Sequence, residues 1–301
     1  MRILVLGKGL VGSAITNRLS QEEMLQVFSI NRKECDLREF ADIENLLADK
    51  KPDVVIFAAG IVGGIEKNLN DPTSLILENS KIILNVIESS FKLKIPKLIN
   101  IVPACVYPGG LKHRMVPSDL FSAPMENSSL AYSMSKLNGL IMVSTIKEQY
   151  NLDWISIIPT NVYGTDSKIE SNKAHVIPAL ISKLLSAKEL NQRELELLGD
   201  GRPVREFLHV TDLSAAVLKI IQTNDLRASI MNIAGSDEIT IRSLAETIRN
   251  LVGYRGKLIF NSSEKNGASS KLLDGTPIQK LGWNKKIKLE KGLSQILNQL
   301  R

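Results

Sequence analysis

Tyr132-Ser-Met-Ser-Lys136 sets a phenol and an ammonium four residues apart. On a helix that spacing puts both side chains on one face, one turn apart. A neighbouring cation favours the phenolate, which brings a group with a reference pKa of about 10 toward working pH. A tyrosine tuned in this way passes a proton to or from a carbonyl or hydroxyl oxygen. The spacing alone is common on solvated helices. Its meaning depends on what precedes it in the chain.

What precedes it is Gly7-Lys8-Gly9-Leu10-Val11-Gly12, directly after the strand-like run Ile3 to Leu6 and at the start of an amphipathic segment. In that context the glycines divide three tasks. Gly7 permits a tight turn, Gly9 lets a pyrophosphate approach the backbone, and Gly12 allows close helix–strand packing. Leu10 and Val11 open the helix, whose first turn presents N–H groups and partial positive charge to the phosphates. The alternative is a tight βα turn with incidental glycines. The end of the second expected strand selects the nucleotide. An acidic residue there would take the ribose hydroxyls of NAD, whereas this chain has Asn31-Arg32-Lys33. Arg32 offers a planar fork to a ribose phosphate and Lys33 adds charge, so NADP(H) is expected in preference to NAD(H). Asp36 has two readings, an acceptor for adenine or a cap for the helix that follows.

With loop and pair together, the chain resembles the extended short-chain dehydrogenase/reductase superfamily, in which this tyrosine is the proton donor and this lysine binds the nicotinamide ribose. Further stretches narrow the likeness. They are Ala58-Ala59-Gly60-Ile61-Val62-Gly63-Gly64-Ile65, Cys105-Val106-Tyr107-Pro108 and Pro159-Thr160-Asn161-Val162-Tyr163-Gly164. Later come His175-Val176-Ile177-Pro178-Ala179-Leu180, Arg205-Glu206-Phe207-Leu208-His209-Val210 and Lys271-Leu272-Leu273-Asp274. On these stretches, nearly the whole chain resembles the GDP-L-fucose synthase family of NADPH-dependent 3,5-epimerase/4-reductases.

That resemblance implies a substrate, a GDP-linked 4-keto-6-deoxy sugar, and a set of roles. Tyr132 and Lys136 serve reduction. Cys105 and His175 form the acid/base pair that epimerises the carbons beside the ketone, whose protons are acidic enough for a thiolate or imidazole to remove. Ala58, Ala59, Lys136 and His175 join the glycine loop at the cofactor, while Asn161, Arg205 and Lys271 face the nucleotide sugar. The resemblance also implies a homodimer joined through the helix of Tyr132 and its neighbour. Plainer readings stand beside these: Cys105 as a small buried apolar residue, His175 as a capping or packing residue, Asn161 as the support of its own turn. His209 reads as structural, Arg202 as a loop charge of uncertain role, and His113 has no counterpart. Two departures matter. Pro103 stands where the family has a serine that assists the tyrosine, a loss that often costs on the order of 100-fold in turnover, and Ser270 stands where it has an arginine. Ser270 bears on the nucleotide or sugar preference, and Pro103 keeps open a non-catalytic NADP-binding sensor; within the enzyme class the alternatives are a pure 4-reductase or a pure epimerase.

These groups must be held by elements, and the chain alternates short apolar runs with amphipathic segments. Strands are expected at Ile3 to Leu6, Gln26 to Ile30, Val54 to Ala58, Lys97 to Val102 and Trp154 to Ile158, with helices at Val11 to Leu19, Ile43 to Leu47, Leu75 to Phe91 and Ala131 to Tyr150. Such alternation makes right-handed βαβ units and a parallel sheet covered on both faces. Further on, a strand is expected at Glu206 to Val210 and a helix at Leu213 to Thr223. A helix follows at Ile241 to Val252, capped by Thr240, then a strand at Lys257 to Phe260 and a helix at Leu289 to Leu300. The expected fold is α/β, a Rossmann-type doubly wound parallel sheet with a smaller C-terminal α/β substrate lobe. Residues 1–160 with about 206–232 would form the NADP-binding domain, and 161–205 with 233–301 the nucleotide-sugar lobe.

Composition excludes several classes. The net charge of +6 on 301 residues suits an anionic small ligand. The short run Lys285-Lys286-Ile287-Lys288 is no nucleic-acid arm, so no nucleic-acid partner is expected. Cys35 and Cys105 lie far apart without metal-ligand spacing, which points to a reducing compartment and no metal. No apolar run nears the roughly 18 residues of a membrane span, and no signal-peptide pattern opens the chain. A soluble cytoplasmic protein with no membrane partner is expected.

Overall fold

The computed structural model describes residues 1–165, 176–224, 226–261 and 269–300. In chain order the first half runs β1 (Arg2–Leu6), α1 (Leu10–Leu19), β2 (Gln26–Ile30), α2 (Phe40–Lys50), β3 (Val54–Phe57), α3 (Ile65–Asn70), α4 (Pro72–Lys92), β4 (Lys97–Ile101), α5 (Leu130–Tyr150) and β5 (Asp153–Pro159). The second half runs β6 (Asn161–Tyr163), α6 (Val176–Glu189), β7 (Glu194–Leu198), β8 (Val204–His209), α7 (Val210–Gln222), β9 (Ile230–Ile233), β10 (Glu238–Thr240), α8 (Ile241–Val252), β11 (Lys257–Asn261), β12 (Ser270–Lys271), α9 (Thr276–Lys280) and α10 (Leu289–Gln299).

Six strands form the main sheet in the order β2-β1-β3-β4-β5-β9, every neighbouring pair parallel. The run Ile3 to Leu6 is buried at every residue, as is Val54 to Phe57, because an interior parallel strand is covered on both faces. Alternate side chains then divide between two cores. Ile3 and Val5 pack with Ile15 and Leu19 of α1 and Leu213 and Val217 of α7. Leu4 and Leu6 pack with Ile43 and Leu47 of α2, Ile83 and Val86 of α4 and Val143 of α5. Helix ends obey local chemistry. Asp71 accepts from the Ser74 N–H at 3.3 Å and Pro72 fills the first turn of α4; Thr240 caps α8 by accepting from the Ser243 N–H at 3.0 Å, as its sequence predicts.

In the smaller unit β8 is the organiser, parallel to β6 and β12 and antiparallel to β10, while β7 and β11 pair in parallel. A third core joins Ile181 and Leu184 of α6, Leu244 and Ile248 of α8, Leu293 and Ile296 of α10, and Phe207. The segment from about 206 to 232 therefore divides. β8 sits in the small sheet, whereas α7 returns to pack on α1 and β9 completes the main sheet. Several elements lie outside the expected set. α6 carries Pro178 in its first turn, where a missing N–H costs nothing, and β6, β9, β10 and β12 have too few residues to show a period.

Between the units lies a fourth core of Val102, Tyr107, Met115, Leu140 and Leu273. Beside it the buried Glu206 carboxylate accepts from the N–H groups of Gly235 and Ser236, both at 2.6 Å, and pairs with Arg114 at 3.3 Å. This clasp holds the small sheet against the C-terminal edge of the large one. Among the described residues no helix is long and apolar enough to cross a membrane.

Candidate active site

The parallel strands deliver their following loops to one edge: Gly7 after β1, Ala58 after β3, Pro103 after β4 and Thr160 after β5. The strand order turns at β1, between β2 and β3, which is where ligands settle in open α/β sheets.

Gly7 has φ +115°, and a Cβ there would lie 3.1 Å from the Ala59 Cα. A Cβ on Gly12 would fall 1.8 Å from the Gly7 carbonyl oxygen, whereas one on Gly9 would meet nothing within 4 Å. Gly12 thus closes the turn on itself and Gly9 leaves its approach open. α1 has no acidic residue in its first turn and no side chain capping it, so its leading N–H groups remain for an anion. These residues fit a dinucleotide pyrophosphate. Ala58 and Ala59 form the facing wall, since the Ala58 N–H donates to Leu6 at 3.0 Å. Asn79, buried on α4 and not anticipated from sequence, clamps that wall: it accepts from the Ile61 N–H at 2.9 Å and donates to the Ile61 and Leu75 carbonyls at 3.0 and 2.8 Å. Arg32 stays exposed, its Nε 3.9 Å from Asp36. Asp36 is engaged by Arg38, which lowers its carboxyl to about 2. α2 begins at Phe40 after Glu39, so Asp36 does not cap it.

Tyr132 and Lys136 stand one turn apart on α5, both buried. Lys136 Nζ donates to the Ala59 carbonyl at 3.1 Å and lies 5.5 and 5.8 Å from the ring centroids of Phe57 and Tyr132. A Cβ on Gly60 would approach that Nζ to 2.6 Å. The electrostatics correct the expectation of a phenol lowered by its cation. Burial dominates: it pushes the Tyr132 phenol well above the usual range and pulls the Lys136 ammonium down to about 8. A phenol in that environment is held protonated, a donor rather than a base.

Cys105 sits half-buried in a 3-10 turn, Ala104–Val106, that leaves the end of β4. Pro103 precedes it in extended geometry, beyond the last sheet hydrogen bond, from the Val102 N–H to Ile157 at 2.9 Å. The chain loses no ladder bond there, and it places no hydroxyl there. Burial raises the Cys105 thiol; Ser133, Lys271 and Lys136 favour the thiolate, and Glu126 opposes it. The charge of a Cys105 thiolate would act on both Tyr132 and Lys136, so the three groups lie within electrostatic reach of one another.

Opposite, Lys271 of β12 lies beside Arg205 of β8 in register. Lys271 pairs with Glu126 at 3.0 Å. Arg205 is half-buried and donates to the Val204 carbonyl at 2.8 Å, and burial lowers its pKa. Asn161 donates to the Glu206 carbonyl at 2.8 Å, holding the junction of β6 and β8. His175 lies outside the described residues. His209 caps α7 by accepting from the Thr211 N–H at 3.3 Å, Arg202 pairs with Asp200, and His113 pairs with Asp119 at 2.9 Å. Glu126, Asn79 and Ser133 belong to this neighbourhood and had no sequence signal, because each acquires its partner only through the fold.

The model of the NAD dependent epimerase/dehydratase family matches residues 3–234. The chain is similar to the putative GDP-L-fucose synthase 2 of Arabidopsis thaliana, 36% identical over 295 residues that cover 98% of this chain and 90% of the relative. It is 33% identical to the GDP-L-fucose synthase of Escherichia coli (strain K12), over 97% of this chain and 94% of that one. Among solved structures it resembles a GDP-mannoheptose C4 reductase from Campylobacter jejuni with NADP bound, at TM-score 0.90 and 27% identity, covering 99% of this chain and 98% of that one.

Proposed function

The chain belongs to the NAD dependent epimerase/dehydratase family, among its nucleotide-sugar epimerases and reductases, and on that premise we propose that it reduces the 4-keto group of a GDP-linked 4-keto-6-deoxy sugar with NADPH. The observation that carries this reading is the burial of Tyr132 and Lys136 within electrostatic reach of Cys105, with Lys136 anchored on Ala59 beside the glycine loop. When bound, the dinucleotide supplies the hydride. Tyr132 gives its phenolic proton to the carbonyl oxygen as that oxygen becomes a hydroxyl; its burial keeps the proton in place until then. Lys136, anchored on Ala59, orients the nicotinamide ribose. Gly7, Gly9, Leu10, Val11 and Gly12 hold the pyrophosphate and Arg32 the ribose phosphate. Arg205 and Lys271 take the substrate's diphosphate, with Lys271 released from Glu126, and Asn161 supports that strand junction.

Cys105 and His175 exchange protons at the carbons flanking the ketone if epimerisation accompanies reduction. A second reading, reduction without epimerisation, is favoured by the burial that raises the Cys105 thiol and so disfavours its thiolate. The main sheet binds the dinucleotide and the smaller unit the nucleotide sugar. α4 and α5 present the exposed apolar side chains Leu77, Leu84, Met134 and Ile141, the face through which two copies would form a homodimer.

Incubation with NADPH and GDP-4-keto-6-deoxy-mannose in deuterated water, followed by NMR, tests both readings. Deuterium at C-3 and C-5 identifies epimerisation, and a reduced product without it identifies the reductase alone. Tyr132→Phe should abolish NADPH oxidation; unchanged turnover would remove Tyr132 from its role.

A further inference from the structure

The turn after β2 does something the residue order there does not suggest. Asn31 Oδ1 accepts from the N–H of Lys33 at 2.8 Å, and its carbonyl accepts from Glu34 and Cys35, both at 3.1 Å. This winding carries Glu34 back over the strand end. Its carboxylate accepts from the Asn31 N–H at 2.7 Å and from Lys8 Nζ at 2.9 Å through each oxygen. Lys8 belongs to the glycine loop, and Gly7 of the same loop donates to the Ile30 carbonyl at 3.1 Å. A carboxylate therefore occupies the place, at the end of the second strand and beside the glycine loop, where an acidic group reads ribose hydroxyls. Arg32 stands two residues away, exposed.

We infer that Glu34 is a specificity-determining residue for the dinucleotide: it sequesters Lys8, disfavours a ribose phosphate, and leaves the protein able to take NADH as well as NADPH. The inference rests on the reading of the glycine loop as a dinucleotide site and goes beyond the preference that Arg32 alone implies. Two selectors of opposite sign share this turn. Arg32 attracts a 2′-phosphate through its fork, while Glu34 repels it and offers an acceptor to a 2′-hydroxyl. Lys8 and the Asn31 amide lower the Glu34 carboxyl, so it stays ionised at neutral pH. An exposed pair of this kind is worth little to stability, and its removal should leave the fold intact. Its effect on a ligand that differs by one phosphate is direct.

Fluorescence titration of the intact protein with NADPH and with NADH, at fixed low ionic strength, tests this without turnover. Wild-type protein should bind both nucleotides. Glu34→Gln should tighten NADPH roughly fivefold and leave NADH unchanged or weaker, with thermal unfolding of the free protein unaltered. Lys8→Met should weaken NADPH more than NADH. A merely structural Glu34 would shift both nucleotides together. An unchanged ratio of the two dissociation constants in Glu34→Gln, or a ratio moved toward NADH, would overturn the inference alone. Wild-type protein that bound neither nucleotide would overturn the reading of the loop and the inference with it.

Discussion

Lys136→Met separates what the cleft costs the fold from what it gives the reaction. Lys136 is 6% exposed, and burial brings its ammonium pKa from 10.5 to about 8. A displacement of that size means that the folded state disfavours the charged form by about 3 kcal/mol at neutral pH. Methionine keeps the apolar stem and removes the charge. It also removes the hydrogen bond to the Ala59 carbonyl and the contacts with the Phe57 and Tyr132 rings, together about 1–2 kcal/mol. The free variant should therefore be more stable than wild type by about 1–2 kcal/mol at pH 7, while losing NADPH oxidation. The pH dependence fixes the cause. Because the folded pKa is the lower one, between about pH 8 and 10.5 the folded wild type holds fewer protons than the unfolded chain, so wild-type stability rises across that window. The advantage of the variant should shrink by about 2 kcal/mol between pH 7 and 9.5. Urea unfolding of both proteins at the two pH values measures it. A variant less stable at pH 7, or a difference independent of pH, would refute the claim that desolvation of Lys136 is stored in this cleft.

Gly9→Ala should weaken NADPH roughly tenfold in a fluorescence titration without changing the urea midpoint, because its Cβ meets no atom of the protein and faces the phosphate approach. Gly12→Ala should instead lower stability by about 2 kcal/mol or more, since its Cβ would strike the Gly7 carbonyl. Glu206→Ala should cost about 2–4 kcal/mol in urea unfolding, as it leaves two amide groups of the clasp without their acceptor and takes from Arg114 one of its two carboxylate partners, Glu238 remaining. In a Cys35→Ser background, Glu126→Gln should bring alkylation of Cys105 by iodoacetamide to lower pH, because the Glu126 carboxylate opposes the thiolate; an unmoved profile would show that Glu126 does not act on the thiol.

Sequence by itself determined the elements whose side chains answer to a local period or a local geometry. The buried runs of β1 and β3, the capped start of α8, the glycine loop and the Tyr132/Lys136 spacing were all legible, since each depends on neighbours within a few residues. β6 and β9, short and without a continuous apolar run of their own, were not. β6 and β9 become strands only because β8 and β5 lie alongside to take their hydrogen bonds. The same division runs through the site. Residue order presented Asn31-Arg32-Lys33 as a strand end with two cations and no acid, and the turn that folds Glu34 back onto Lys8 added the opposing charge. Residue order also presented Tyr132 as a phenol beside a cation. Tertiary structure decided the balance, because the depth at which α5 packs makes desolvation outweigh the 5.8 Å contact between that cation and the ring. Spacing along a helix is a property of the chain, whereas the dielectric around a side chain belongs to everything packed against it.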